Sequence, residues 1–268
     1  MSQALEFASD LACQAGQLLC EFFRQGGGNY HLKDDYSIVT EADLAVDHLV
    51  TGKITEQYPS DSILSEELHP RLPGGEVHAV WIIDPLDGTT NFSLGLPVWG
   101  VVIARIRERY PDLAVLYFPV MDELYTAQAG GGAYMNGIPI HVQPPMKDKP
   151  ATFFSCCGHT HKQYDVRVPY KPRILGSAAY NFCAVARGAA VLGFEATPKI
   201  WDLAAGWLLV REAGGVVEAY DGASPFPLSS EVDYARRAYP MLSAATAAVV
   251  AKGRDMIRPK LSEPRKVD

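Results

Sequence analysis

Trp81-Ile82-Ile83-Asp84-Pro85-Leu86-Asp87-Gly88-Thr89-Thr90-Asn91-Phe92 is the stretch on which the reading of this chain turns. Its first part, with Val80 ahead of it, is an apolar β-branched run of the length of a buried strand, and the run breaks at Asp84-Pro85. Two carboxylates then stand on a turn that Pro85 stiffens and Gly88 lets fold tightly. Carboxylates held close push one pKa upward unless a cation lies between them. Thr89, Thr90 and Asn91 add neutral oxygens just behind, and an oxygen-only donor set suits a hard cation. Asp-Pro and Asp-Gly are also common turn dipeptides, so taken alone these residues describe a solvated corner just as well. The rest of the chain has to decide.

The chain has 268 residues, 48% hydrophobic and 21% charged, enough for one large domain or two joined lobes. Met1 to Glu6 has no basic segment leading into an apolar core, and no apolar run reaches the roughly 18 residues of a membrane span, so neither a secretory signal nor a bilayer-spanning helix is expected. A cytoplasmic enzyme is the default expectation. Five cysteines, Cys13, Cys20, Cys156, Cys157 and Cys183, are odd in number and lack metal spacing, which points to reduced thiols. Cys13 and Cys20 share one face of a helix and read as core residues. A formal charge of −7 opposes nucleic acid and anionic membrane as main partners. It would also repel a phosphate ester, unless bound metal reverses the sign locally.

Leu5, Ala8, Ala12, Ala15, Leu18, Leu19, Phe22 and Phe23 form a helical stripe that Gly26-Gly27-Gly28 ends, an amphipathic helix from Ser2 to Gln25. Thr40 reads as the N-cap of a second helix reaching Pro59, with Asp43 as its capping partner. Ser62 to Ser65 is a short strand that delivers Glu66 and Glu67, adjacent acids that by themselves suit a solvated pair. Leu68 to His78 is a loop whose histidines lack zinc spacing. Val98 to Ile106, Leu113 to Phe118 and Leu124 to Gln128 read as an antiparallel meander, with turns at Gly130 to Gly132 and Asn136-Gly137. No P-loop lysine follows those glycines.

Pro144 to Pro150 is the linker candidate, dividing a metal-binding lobe, residues 1–143, from an α/β lobe, residues 151–268, that completes the site. In the second half Ala151 to Cys157 reads as a strand, and Gly176-Ser177-Ala178-Ala179 opens a helix to Gly188. Free amides and the positive dipole end suit an anion there, and small residues equally suit close packing. Ala189 to Glu195 is a further strand, and Trp201-Asp202 opens a helix reaching Glu212 to Gly215, with Asp202 where a carboxylate favours any helix start. Lys252 to Asp268 reads as a mobile, solvated tail.

Taken together, these motifs resemble the inositol monophosphatase family of metal-dependent phosphatases. The family pattern of a hydrophobic strand ending in Asp-Pro-hydrophobic-Asp-Gly-Thr-x-Asn-Phe is matched at Trp81 to Phe92, and its Val-Thr-x-x-Asp at Val39, Thr40 and Asp43. Its Gly-Glu-Glu element falls on Ser65-Glu66-Glu67, with serine in place of glycine. Gly176 to Ala179 match a Gly-Ser/Thr-Ala-Ala element, and Trp201 to Gly215 match Trp-Asp-x-Ala followed by Glu-Ala-Gly-Gly. Ser37 departs from the pattern, standing where many relatives carry aspartate, and Lys33 resembles a family lysine near the metals.

The resemblance implies an α+β fold, a layered αβαβα sandwich of the inositol monophosphatase and fructose-1,6-bisphosphatase type, and a homodimer. It implies two or three Mg²⁺ ions, held by Glu66, Asp84, the carbonyl oxygen of Leu86, Asp87 and Asp202. It places Asp43 beside the metals, gives Glu66 and Thr89 the work of orienting or deprotonating the attacking water, and sets the phosphate on amides around Gly88 and Thr89. Asp87, Asp202, Gly176, Ser177, Ala178 and Glu195 complete the substrate contacts, and Glu212 is structural. Hydrolysis then proceeds by metal-activated water without a covalent intermediate, and Li⁺ inhibits. The leading substrate is a myo-inositol monophosphate. Fructose 1,6-bisphosphate, histidinol phosphate and NADP are the alternatives, and Thr90, where 3′-phosphoadenosine phosphatases tend toward lysine, disfavours that group. A non-catalytic metal- or phosphate-binding regulator is the remote alternative class.

Overall fold

The computed structural model describes residues 2–26, 30–32, 38–72, 79–145 and 152–260. Its helices are α1 (Gln3–Arg24), α2 (Glu41–Gln57), α3 (Thr89–Ser93), α4 (Gly158–Gln163), α5 (Ala178–Ala186), α6 (Ile200–Glu212) and α7 (Ala247–Met256). A short antiparallel pair, β1 (Tyr30–Leu32) with β2 (Ile38–Thr40), precedes α2. Strands β3 (Ser62–Ser65), β4 (Ala79–Asp87), β5 (Gly100–Arg107), β6 (Tyr110–Phe118), β7 (Glu123–Gln128), β8 (Gly132–Met135) and β9 (Ile138–Pro139) hydrogen-bond in that order into one sheet, antiparallel except for β3 beside β4. The later strands are β10 (Phe153–Cys156), β11 (Tyr164–Val166), β12 (Lys171–Arg173), β13 (Ala190–Glu195), β14 (Val216–Ala219), β15 (Met241–Ala244) and β16 (Ile257–Pro259). Five of them form a mixed sheet in the order β12-β10-β13-β15-β14, and β11 pairs with β16.

The layers follow from the alternation of side chains along each strand. Trp81 and Ile83 point to one face of the large sheet, where α1 and α2 bring Leu11, Leu19, Val46, Val50 and Ile54 against them. Val80 and Ile82 point to the other face, against α5 and α6. The second sheet closes over α5 and α6 through Ala190, Val217 and Met241, and its far face packs Leu192, Phe194 and Leu242 on Val250 of α7. This is the expected αβαβα sandwich. A Cβ on Gly16 would lie 2.6 Å from the Tyr117 ring, so the close seating of α1 on β6 requires glycine there. Thr40 caps α2 as expected, in a full capping box with Asp43.

Three expectations need correction. β4 does not stop at Asp84-Pro85: it runs to Asp87, with its pairing to β5 slipping between Asp84 and Asp87. A bulge accommodates a proline that has no amide to donate, and it re-aims the side chains on either side of it. Cys13 and Cys20 are half-buried rather than core. The tail is ordered further than expected, since α7 reaches Met256, β16 pairs with β11, and the Lys260 amide donates to Gln163 O at 2.8 Å. Residues 261–268, Lys33, Ser37, Gly27, Gly28, Gly74, Gly75, His78 and linker residues 146–150 lie outside the described residues. No helix among the described residues is long and apolar enough to cross a membrane.

Candidate active site

The parallel pairing of β3 with β4 sets Ser65 opposite Ile83, so the next residue of each strand, Glu66 and Asp84, emerges side by side at the same edge. Asp202 enters from the first turn of α6, where one of its oxygens also accepts the Lys199 amide at 2.8 Å. Glu66, Asp84 and Asp202 each offer a carboxylate oxygen, and these oxygens lie within 4.8 Å of one another. Burial, then the charges of Glu66, Asp87 and Asp202, hold the Asp84 carboxyl well above its ordinary range. Burial, then Glu66 and Asp87, push Asp202 up to about 8. Three crowded acids with oxygen-only donors fit a hard divalent cation, which would relieve the repulsion that raises them.

Asp87 is turned elsewhere. Its carboxylate accepts the Ser177 hydroxyl and the amides of Ala178 and Ala179, the latter two at 3.1 and 3.2 Å. It therefore seats the end of β4 on the start of α5, where the dipole favours an anion. Burial raises Asp87 to about 6 even though these donors pull the other way. Gly88 bends the chain with φ of 91°, and a Cβ there would meet Val98 O at 2.8 Å. Beyond it the Thr89 hydroxyl lies 2.9 Å from Leu86 O and 3.2 Å from Asp43 Oδ1. Asp43 serves two ends at once, since its Oδ2 accepts both the amide and the hydroxyl of Thr40.

Gly176, with φ of 78°, leads into Ser177, which caps α5 through the Tyr180 amide. Glu195 ends β13, buried, and accepts from Asn181 Nδ2 at 2.6 Å, while Asn181 Oδ1 accepts the Ser155 hydroxyl. Burial, then Cys157 beside it, keeps the Glu195 carboxyl well above its ordinary range. Glu212 lies away from the acids and accepts the amides of Gly130 and Gly132, a structural anchor for that turn.

Several contributors escaped the sequence reading. Asn181 and Ser155 carry the only evident signal, a polar side chain inside an otherwise apolar helix or strand. Asn91, read from the sequence as a neutral oxygen behind the acids, instead donates its Nδ2 to Val98 O and Leu175 O, both at 2.7 Å, and so ties α3 to the approach of α5. Asp47 is buried on α2 beneath the Glu66 turn.

Comparison with known proteins shows the family to which this fold belongs. The chain is 34% identical over 235 residues to a histidinol-phosphatase of Chlorobaculum parvum, covering 83% of this chain and 88% of that one. It is 34% identical over 251 residues to inositol monophosphatase 3 of Solanum lycopersicum, covering 88% and 91%. The crystal structure of the extragenic suppressor protein suhB from Bartonella henselae superposes with a TM-score of 0.79 at 26% identity, over 95% of this chain and 98% of that one. The model of the inositol monophosphatase family matches residues 1–253. With the sandwich, the acidic cluster and this match in agreement, the chain belongs to the inositol monophosphatase family of metal-dependent phosphoric monoester hydrolases.

Proposed function

We propose that this protein is a Mg²⁺-dependent phosphatase whose preferred substrate is a myo-inositol monophosphate. The observation that supports it most is the convergence of Glu66, Asp84 and Asp202 from three remote parts of the chain. With Asp87 and the Leu86 carbonyl oxygen, these residues would hold roughly two or three Mg²⁺ ions, which when bound supply Lewis acidity and lower the pKa of a coordinated water. Glu66 and Thr89 orient the attacking water and take its proton, with Asp43 steering the Thr89 hydroxyl. The amides of Gly88 and Thr89 receive the phosphate oxygens. Asp87, Asp202, Gly176, Ser177, Ala178 and Glu195 surround the remainder of the substrate, and residues 1–143 and 151–268 act as one catalytic unit.

A buried acid at the far end, with one partner in Asn181, suits the hydroxyls of a polyol. It would also pair with an ammonium group. That, with the histidinol-phosphatase relative, favours histidinol phosphate as the second reading.

We also infer a homodimer in the cytoplasm. Leu94, Leu96 and Ile174 are 70%, 48% and 53% exposed, on two segments that the bond from Asn91 to Leu175 O brings together.

The test is phosphate release from purified protein on a panel of inositol monophosphates, histidinol phosphate, fructose 1,6-bisphosphate and NADP, with Mg²⁺ and with EDTA. The highest kcat/KM on an inositol monophosphate, abolished by EDTA and lowered by Li⁺, is the expected result. A strong preference for fructose 1,6-bisphosphate would defeat the substrate assignment, and Mg²⁺-independent turnover would defeat the mechanism.

A further inference from the structure

Four successive amides after β3 all have acceptors. Glu66 N donates to Ile83 O at 3.2 Å, Glu67 N and Leu68 N both donate to Asp47 Oδ2 at 3.2 and 3.0 Å, and His69 N donates to Ser65 Oγ at 3.0 Å. Ser65 N closes the turn on His69 O at 2.9 Å. Two of these five bonds end on one carboxylate that reaches across from α2, 20 residues earlier in the chain. Asp47 is 0% exposed, the Ser65 hydroxyl lies beside its carboxylate, and its second oxygen, Oδ1, has no hydrogen-bond partner among the described residues. A buried carboxylate with an unsatisfied oxygen costs free energy, and an apolar side chain of similar size would spare the fold that cost. What the carboxylate adds is a fixed path for the backbone that carries Glu66.

We propose that Asp47 is a positioning residue: through the amides of Glu67 and Leu68 it holds Glu66 within reach of Asp84 and Asp202, and so sets the affinity for the divalent cation. The inference rests on reading those three acids as a metal site. Asp47 touches neither metal nor substrate. Ser65, standing where the family carries glycine, contributes the acceptor for His69 and fixes the far end of the same turn.

The experiment compares full-length wild type with Asp47→Leu and Asp47→Asn, each stripped of metal and titrated with Mg²⁺ by calorimetry, with Tm measured in EDTA. Removing an outer support of a metal ligand typically weakens binding by about 10–100-fold. Asp47→Leu should therefore weaken Mg²⁺ binding by about tenfold or more, with the metal-free protein still cooperatively folded and kcat largely restored at high Mg²⁺. Asp47→Asn, which keeps a side-chain oxygen in place as acceptor, should retain most of the affinity. If Asp47→Leu does not fold, Asp47→Ser, whose hydroxyl is too short to span to both amides, takes its place with the same expected weakening. Wild-type Mg²⁺ affinity in whichever of these folds, or equal loss in Asp47→Asn, overturns the proposal. Glu66→Gln is the control: if it too binds Mg²⁺ as wild type does, the metal-site reading fails. Weak binding in Glu66→Gln beside wild-type binding in Asp47→Leu removes the positioning role alone.

Discussion

The Thr89 hydroxyl stands 3.2 Å from Asp43 Oδ1 although the two residues are 46 apart in the chain. Thr40 bonds the other Asp43 oxygen, Oδ2, so Oδ1 is the oxygen that meets the end of β4. The single Thr89 proton has two acceptors, Asp43 and Leu86 O, so the hydroxyl oxygen keeps lone pairs with which to accept from a water. Thr89→Val keeps the shape and removes this relay. Steady-state kinetics should show kcat lower by roughly 10²–10³-fold with KM nearly constant, and Thr89→Ser should recover much of it. Wild-type kcat in Thr89→Val would refute the relay.

Asp84→Asn separates chemistry from stability. It removes a charge from the acidic cluster at almost constant volume, so Mg²⁺-dependent turnover should vanish while circular dichroism shows an intact fold. Burial and neighbouring acids already disfavour the ionised Asp84, so the metal-free variant should melt above metal-free wild type. Substantial turnover in Asp84→Asn would remove this residue from the mechanism.

The acids also dictate a pH dependence. Burial is the first cause of the raised values at Asp202, about 8, and Asp87, about 6. A folded pKa above the unfolded one gives stability that is complete below the unfolded value and is lost as pH rises through the folded one. Metal-free protein should therefore lose Tm as pH climbs from about 4 to about 8. Mg²⁺ must displace the Asp202 proton at any pH below about 8, together with protons held on the neighbouring raised acids, so its apparent affinity should rise by at least roughly tenfold per pH unit up to about 8. Calorimetry in buffers of different ionisation enthalpy would count the released proton, and a pH-independent affinity with no proton release would exclude this coupling.

The exposed apolar residues near the site make their own prediction. Leu94→Glu puts a charge on the most exposed member of the Leu94, Leu96 and Ile174 group without touching the acids. Analytical ultracentrifugation should show wild type as a dimer and Leu94→Glu shifted toward monomer. A monomeric wild type would exclude the dimer.

How far the sequence disclosed this molecule varies with the physics of each element. The layers were legible because strand alternation and helical stripes at Val80 to Ile83 and along α1 encode which face is buried. Glu66, Asp84 and Asp202 were legible as acids placed where strands end or a helix begins, though spacing alone left each ambiguous with a solvated pair or a dipole partner. The bulge at Pro85 was hidden because a proline after an apolar run reads as a stop. Strands β14 and β15 and helix α7 were not read at all, since β14 and β15 are short and α7 buries little beyond Val250 and Gly253. Asp47 was missed because an acid on a helix reads as solvated, and only tertiary packing puts it beneath the Glu66 turn.

Glu195 gives the sharpest test of what the far end of the site recognises. One of its oxygens takes Asn181 Nδ2 at 2.6 Å, in a chain that Ser155 orients through Asn181 Oδ1, and the other remains for a substrate hydroxyl. Glu195→Gln keeps an oxygen for Asn181 and offers the substrate hydroxyl a neutral N–H donor in place of a carboxylate acceptor. A hydrogen bond to a charged partner contributes about 1.5–3 kcal/mol against about 1 for a neutral one. KM for an inositol monophosphate should therefore rise by roughly three- to thirtyfold, with kcat changed far less. A phenyl phosphate ester, with no hydroxyl to reach Glu195, should show the same KM in both proteins. Burial already holds this carboxyl above its ordinary range, so the substitution should leave Tm unchanged or higher. If both substrates lose equally, Glu195 supports the site as a whole rather than reading the polyol.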